Sequence, residues 1–270
     1  MRGEADRYIA ATLAPRGEQP ALAALAAFAA EVARIPASVS EPALGDIRLQ
    51  WWRDALAEGR AGRRSGHPVA DALVASVERY GLAADLLEAV IDARELDLAG
   101  GMPQDAAGLV AYLDASESHV FLLALNVLGA TGPEIEDLAR QAGWAYGVAR
   151  GLGRLPMLLH NGGVILPADA LRAEGIDPAR IAAKPVPQDV DEAVRQVQRR
   201  LEDEARERLS RVRKAWIDLD RRMRPALLPL AMVEPYLRAQ SRRQILVEPA
   251  EISPLRRVAS IGLAHLTGRL

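Results

Sequence analysis

Apolar residues recur along this chain at steps of three and four, and the pattern is cut at intervals by Pro and Gly, which predicts a succession of helices. The longest informative stretch is Leu138 to Pro167. Leu138, Ala142, Ala145, Ala149, Leu152 and Leu155 share one face of a predicted helix that runs to the Gly162, Gly163 break. Gly143, Gly147 and Gly151 lie four apart, so they form a strip of bare backbone on one side of it. Each interior Gly costs about 1 kcal/mol relative to Ala. Close packing of a neighbouring helix is the favoured compensation, and room for a ligand is the alternative.

The remaining segments follow the same rules. Pro20 opens a helix through Arg34, and Pro42 opens the next, in which Leu44, Ile47, Trp51 and Leu56 are read as the inward side. Helices follow over Val69 to Tyr80 and Ala83 to Leu98, each with Gly soon after its end. Asp105 starts a helix whose apolar middle, Val120 to Leu128, belongs at the centre of the fold. A short helix from Pro167 to Glu174 and a Pro-rich linker, Lys184 to Pro187, lead to a long amphipathic helix over Asp189 to Met223. Pro225 to Val233 is apolar and broken by prolines, read by default as core and alternatively as a contact surface. A last helix spans Leu255 to Leu266.

Composition agrees with packed helices. Half of the 270 residues are hydrophobic but only 4% are aromatic, and Ala and Leu dominate. A net charge of -2 argues against a nucleic-acid partner, and zero Cys removes disulfides and thiolate chemistry. The N-terminus lacks an apolar core of signal-peptide length, and the longest uncharged run, Ser118 to Pro133, is too short to cross a bilayer. The expectation is a cytoplasmic protein, with peripheral contact at the inner membrane left open.

Polar candidates are few. Asp114, Glu117 and His119 are read as a satisfied helix end in preference to a buried cluster. Glu202, Asp203, Glu204 and Glu207 alternate with Arg199, Arg200, Arg206 and Arg208, the pattern of a solvated charged face rather than a metal site. His67 is expected at a solvent-exposed loop end, and the four His have no pair at metal-binding spacing. Trp51 and Trp52 are adjacent, so one enters the core and the other marks a surface.

Several strings carry a resemblance. Ala27 to Leu56 (AFAAEVARIPASVSEPALGDIRLQWWRDAL), Ile91 to Leu98 (IDARELDL), and AGWAYGVARGL followed by VILPADAL resemble the squalene/phytoene synthase family. Within it they are similar to the branch of bacterial relatives of a mitochondrial respiratory complex I assembly factor. The resemblance implies one all-α isoprenoid synthase domain over residues 1–270, with helices around an apolar cavity. It also implies Mg²⁺ chemistry on an allylic diphosphate, for which hard cations need clustered carboxylates. The chain contains no Asp-Asp pair. Aligned without gaps from Phe28, the first motif's aspartates fall on Ala33, Arg34 and Ala37, and the second falls in Leu155 to Gly162, LPMLLHNG. Asp97 is the one acidic position retained.

The expectation is therefore a protein that kept the fold and lost the reaction: an assembly or interaction factor, with respiratory-chain subunits as partners and no cofactor. Two alternatives stay open. One is a prenyltransferase, with Mg²⁺ if active, gripping phosphate through Arg150 and Arg154; the other is a module that binds an isoprenoid or other lipid. Glu31, Asp97, Gly147, Arg150, Gly151 and Arg154 are the expected cavity residues. An ion pair between Glu31 and Arg150 or Arg154 is one expectation; the other is that both arginines point to water.

Overall fold

The computed structural model describes residues 4–160, 163–182, 190–240, 246, 247, 249 and 251–270. Every regular element among them is helical. In order they are α1 (Ala5–Thr12), α2 (Gln19–Arg34), α3 (Pro42–Arg60), α4 (Pro68–Tyr80), α5 (Ala84–Leu98), α6 (Ala106–Leu113), α7 (His119–Val127) and α8 (Pro133–Gly153). Then come α9 (Leu155–His160), α10 (Ala168–Ala173), α11 (Pro178–Ala182), α12 (Asp191–Asp218), α13 (Val233–Gln240) and α14 (Pro254–Thr267).

Local rules set the ends. Pro occupies the first turn of α2, α3, α4, α8 and α14, where its missing N–H costs nothing. Asp105 accepts from the Gly108 N–H at 2.7 Å and caps α6. Gly81 closes α4 with φ +61°, a conformation that favours Gly. One apolar cluster runs from Ala10 to Ala264, and α8 lies against α12, α7 and α13 within it. The Lys184 to Pro187 linker lies outside the described residues.

The glycine strip of α8 is a packing device. A Cβ on Gly143 would overlap the backbone of Ser118, one on Gly147 would overlap Leu113 and press on Glu117, and one on Gly151 would overlap Ile165. Gly143→Ala must displace backbone, so we expect it to cost about 1–3 kcal/mol in chemical denaturation. Gly262→Ala in α14 meets open space, and we expect it to raise stability by up to about 1 kcal/mol.

Three expectations are corrected. Helix α8 stops at Gly153 and the chain turns at Arg154 into α9, rather than running unbroken to Gly162. On α3 the inward face is Gly45, Leu49, Trp52, Ala55, Leu56 and Gly59, while Leu44, Ile47 and Trp51 are exposed. Both sets have helical spacing, but the two glycines allow contact with Leu98 and Val74 that a Cβ would block. Trp52 is thus the core tryptophan, edge-on to Phe28 at 5.3 Å, and Trp51 is the surface one. Finally, Asp114 to Ser118 is not a helix end. It is a π-helical turn joining α6 to α7 into one helical stretch, and it brings Ser118 against Gly143. Ala106–Val127 meets the length and hydropathy of a membrane span by composition, but half of its apolar window is buried and it packs on α2, α5 and α8.

Helix α12 carries most of the expected charge ladder: Arg208 bonds Glu204, Arg211 bonds Glu207, and Arg206 reaches Asp203. Glu202, read as part of that solvated face, is instead buried, where it accepts from Gln198 and pairs with Arg206. Its apolar stripe from Val194 to Trp216 is buried. The prolines of Pro225 to Val233 shape a 3-10 segment, Arg224–Met232, which is core as the default reading had it.

Candidate functional site

A cavity of about 90 Å³ lies between the end of α2, the end of α5, the π turn and the C-terminal half of α8. Each element contributes by its own geometry. The α2 terminus offers Ala33 and the 3-10 turn Pro36–Ser38 after it Ala37, α5 offers Arg94 and Asp97, and the bare backbone at Gly147 and Gly151 leaves the space open beside α8. Glu117 enters from the π turn, and Arg150 and Arg154 from α8 and the turn after it.

The charged groups are tied together. Arg94 donates to Asp97 at 2.9 Å, and the Tyr112 hydroxyl donates to the same carboxylate at 3.0 Å. Arg150 pairs with Glu4 and reaches Glu117 at 3.4 Å. Arg7 closes the ring, 2.7 Å from Glu4 and 2.6 Å from Glu117, with its guanidinium over the Phe121 and Tyr146 rings. Burial pushes the Glu4 carboxyl up, but the charges and hydrogen bonds of Arg150 and Arg7 outweigh it, and its pKa lies below the ordinary value. Burial works against the charge of Arg150, and its carboxylate neighbours raise its pKa regardless.

Arg154 differs. It has no ion pair among the described residues, and burial together with the charge of Arg150 lowers its pKa. Ser116 adds a buried hydroxyl with no hydrogen-bond partner among the described residues. This end of the cavity can therefore hold an anionic or hydrogen-bonding group of modest size.

A second buried cluster anchors α1. Asp6 accepts from the Tyr146 and Tyr236 hydroxyls at 2.9 and 2.7 Å and from Arg257 at 2.6 Å.

Of the residues expected at the cavity, Asp97, Gly147, Arg150, Gly151 and Arg154 are brought together. Glu31 is not. It faces an open groove with Arg34, Arg48 and Trp51, 3.5 Å from His67, so it makes no pair with Arg150 or Arg154. Glu31 is two positions before the cavity-lining Ala33, so it lies about 200° around α2 from it, on the far face. Arg150 does not point to water either; it is 6% exposed. His67 caps α4 by accepting from the Ala70 N–H, and its ring meets Trp51 and Trp52. Asp114, Glu117 and His119 also need correction, because Glu117 belongs to a buried ionic cluster, the alternative set aside in favour of a satisfied helix end. Glu4, Arg7, Arg94 and Tyr112 were not singled out from the sequence. The one available signal for Arg94 was its i, i+3 spacing from Asp97.

Two solved structures share this architecture. Over 89% of both chains the fold matches a squalene synthase, HpnC, from Alicyclobacillus acidocaldarius, with a TM-score of 0.73 and 20% identity. A dehydrosqualene synthase in complex with ligand matches 98% of this chain and 92% of its own with a TM-score of 0.78 and 16% identity. The protein is thus an all-α isoprenoid synthase fold, as the resemblance implied. The squalene/phytoene synthase family profile matches residues 1–258, and the chain belongs to that family. Among its relatives, the rat protein named NADH dehydrogenase (ubiquinone) complex I, assembly factor 6 is 28% identical over 233 residues, 86% of this chain and 69% of that one. A Streptomyces coelicolor protein named Bifunctional protein CrtB/UppS is 34% identical over 172 residues, 63% of this chain and 30% of that one.

Proposed function

We propose that this protein is a squalene/phytoene synthase family member that no longer performs prenyl transfer and serves as an assembly or interaction factor, with respiratory complex I as its client. On this reading it works in the cytoplasm at the inner membrane and needs no cofactor.

The observation that carries the reading is the donor set of the cavity wall. Ionising an allylic diphosphate requires several free carboxylate oxygens to hold divalent ions against the leaving group. Here Ala33, Ala37 and Leu158 face the cavity, from the segments where the family resemblance expects aspartates. The carboxylates that remain, Asp97 and Glu117, are engaged by Arg94, Arg7 and Arg150. Among the described residues no group of three or more His, Asp or Glu is placed to hold a metal ion. These residues do not fit the Mg²⁺ cluster of the family reaction. The cavity of about 90 Å³ is also small beside the roughly 300 Å³ or more of ordinary ligand sites. The relatives named as complex I assembly factors support the choice of client.

The test incubates the purified protein with farnesyl or geranylgeranyl diphosphate and Mg²⁺ and measures diphosphate release. We expect none above a heat-killed control, and we expect complex I subunits to co-purify with the tagged protein from its own host. Release that disappears in Arg154→Ala would overturn the reading in favour of a prenyltransferase with a divergent phosphate grip. Diphosphate ester bound without turnover, and lost in the same variant, would favour the lipid-binding module.

A further inference from the structure

Helix α14 buries one face and leaves the other bare. Arg257 turns inward to Asp6, and Ile261 and Ala264 are buried against α1 and the 3-10 segment. At 3.6 residues per turn, Leu255, Val258, Ala259, Gly262, Leu263 and Leu266 fall within an arc of about 140° on the opposite side. The four large residues in that arc are exposed: Leu255 by 80%, Val258 by 53%, Leu263 by 62% and Leu266 by 85%. The helix is about 21 Å long at 1.5 Å per residue, and the apolar stripe runs its full length. Isolated exposed leucines need no explanation, but a continuous stripe does.

The charge around the stripe identifies what covers it. From Ile252 to Leu270 the chain carries three Arg and one His and no Asp or Glu. Arg256 and His265 are exposed on either side of the apolar arc, and Arg269 follows it. At the C-terminal end Arg213 donates to the Leu270 carbonyl at 3.0 Å, and neighbouring Lys214 is exposed. A second copy of this chain docking by two-fold symmetry would bring these like charges together. An anionic bilayer instead takes apolar side chains below its headgroups and basic ones at their level.

We propose that α14 is a membrane-docking helix that lies in the plane of an anionic lipid surface, with Leu255, Val258, Leu263 and Leu266 inserted and Arg256 and Arg269 at the headgroups. This relocates the apolar contact surface from Pro225 to Val233, which is core, to the C-terminal helix. It does not depend on whether the cavity is catalytic.

The experiment is co-sedimentation of the full chain with vesicles of phosphatidylglycerol and phosphatidylcholine in equal parts, and with phosphatidylcholine alone. The wild type should pellet with the anionic vesicles and much less with the neutral ones. The triple variant Leu255→Ser, Leu263→Ser, Leu266→Ser, all at exposed positions, should keep its thermal melt and lose partitioning by about tenfold or more. Arg256→Glu with Arg269→Glu should weaken binding to anionic vesicles only. Absence of wild-type binding, or equal binding by the triple variant, would overturn the proposal. So would a wild-type dimer in light scattering that the triple variant dissociates while neither binds vesicles, because a second copy would then cover the face.

Discussion

Arg150→Ala will destabilise the fold by about 3–5 kcal/mol, the cost of removing one partner from a buried ionic cluster and leaving the opposite charges uncompensated. Arg150 sits between Glu4 and Glu117, all three largely out of water, and without it those two carboxylates share Arg7 alone. For a chain of this size the change lowers the melting temperature by on the order of 6–10 °C. The loss is pH-dependent in a definite direction. The Glu4 carboxyl is held below its ordinary value of 4.5 in the folded state. Its contribution is therefore complete above that value and is lost as pH falls through the folded pKa. A protonated Glu4 no longer needs Arg150, so the gap between wild type and variant should narrow on acidification below 4.5. Urea titrations at pH 7 and at successively lower pH measure it. A gap that stays constant would show that Glu4 is not the group Arg150 serves. A double-mutant cycle with Glu4→Gln should return a coupling energy of at least about 0.5 kcal/mol, because the two side chains are in contact.

Asp6→Ala is expected to cost about 3 kcal/mol or more. Asp6 is 1% exposed and accepts from two tyrosine hydroxyls and one guanidinium, so its removal leaves three donors without an acceptor. Burial raises the pKa of the Tyr146 and Tyr236 hydroxyls, and the Asp6 charge raises them further; both remain donors at neutral pH. The cluster joins α1, α8, α13 and α14. Its loss should therefore appear both as a lower denaturation midpoint and as faster proteolysis of the N-terminal helix. Asp6→Asn keeps an acceptor for the hydroxyls while losing the charge opposite Arg257, and should fall between wild type and Asp6→Ala. A midpoint unchanged in Asp6→Ala would mean that α1 is held by its apolar contacts alone.

The scaffold of the site was legible: Gly147, Gly151, Arg150, Arg154 and Asp97 could be read as cavity residues because the glycine period and the family strings lie within single helices. Its charge pairing was not. Arg7 meets Glu117 across 110 positions and Asp6 meets Arg257 across 251, and neither pair has a spacing rule that sequence could reveal. Glu31 was misplaced for the same reason: two positions along α2, about 200° around the helix at 3.6 residues per turn, separate Ala33 in the cavity from Glu31 in the groove at His67.

By itself the sequence determined the helical class, the boundaries of α2, α4, α5, α10 and α14 to within a residue or two, the close approach along Gly143, Gly147 and Gly151, and most of the charge ladder of α12. These rest on periodicity, prolines, caps and i, i+4 pairs, which act within a few residues. Tertiary structure alone decided which of two equally periodic stripes of α3 turned inward and that Glu117 joined a buried cluster. It also decided that α14 kept an apolar face uncovered. In each case the alternatives are equivalent to the local chain, and packing against residues distant in sequence selects between them by steric fit at glycine and by the need to pair every buried charge.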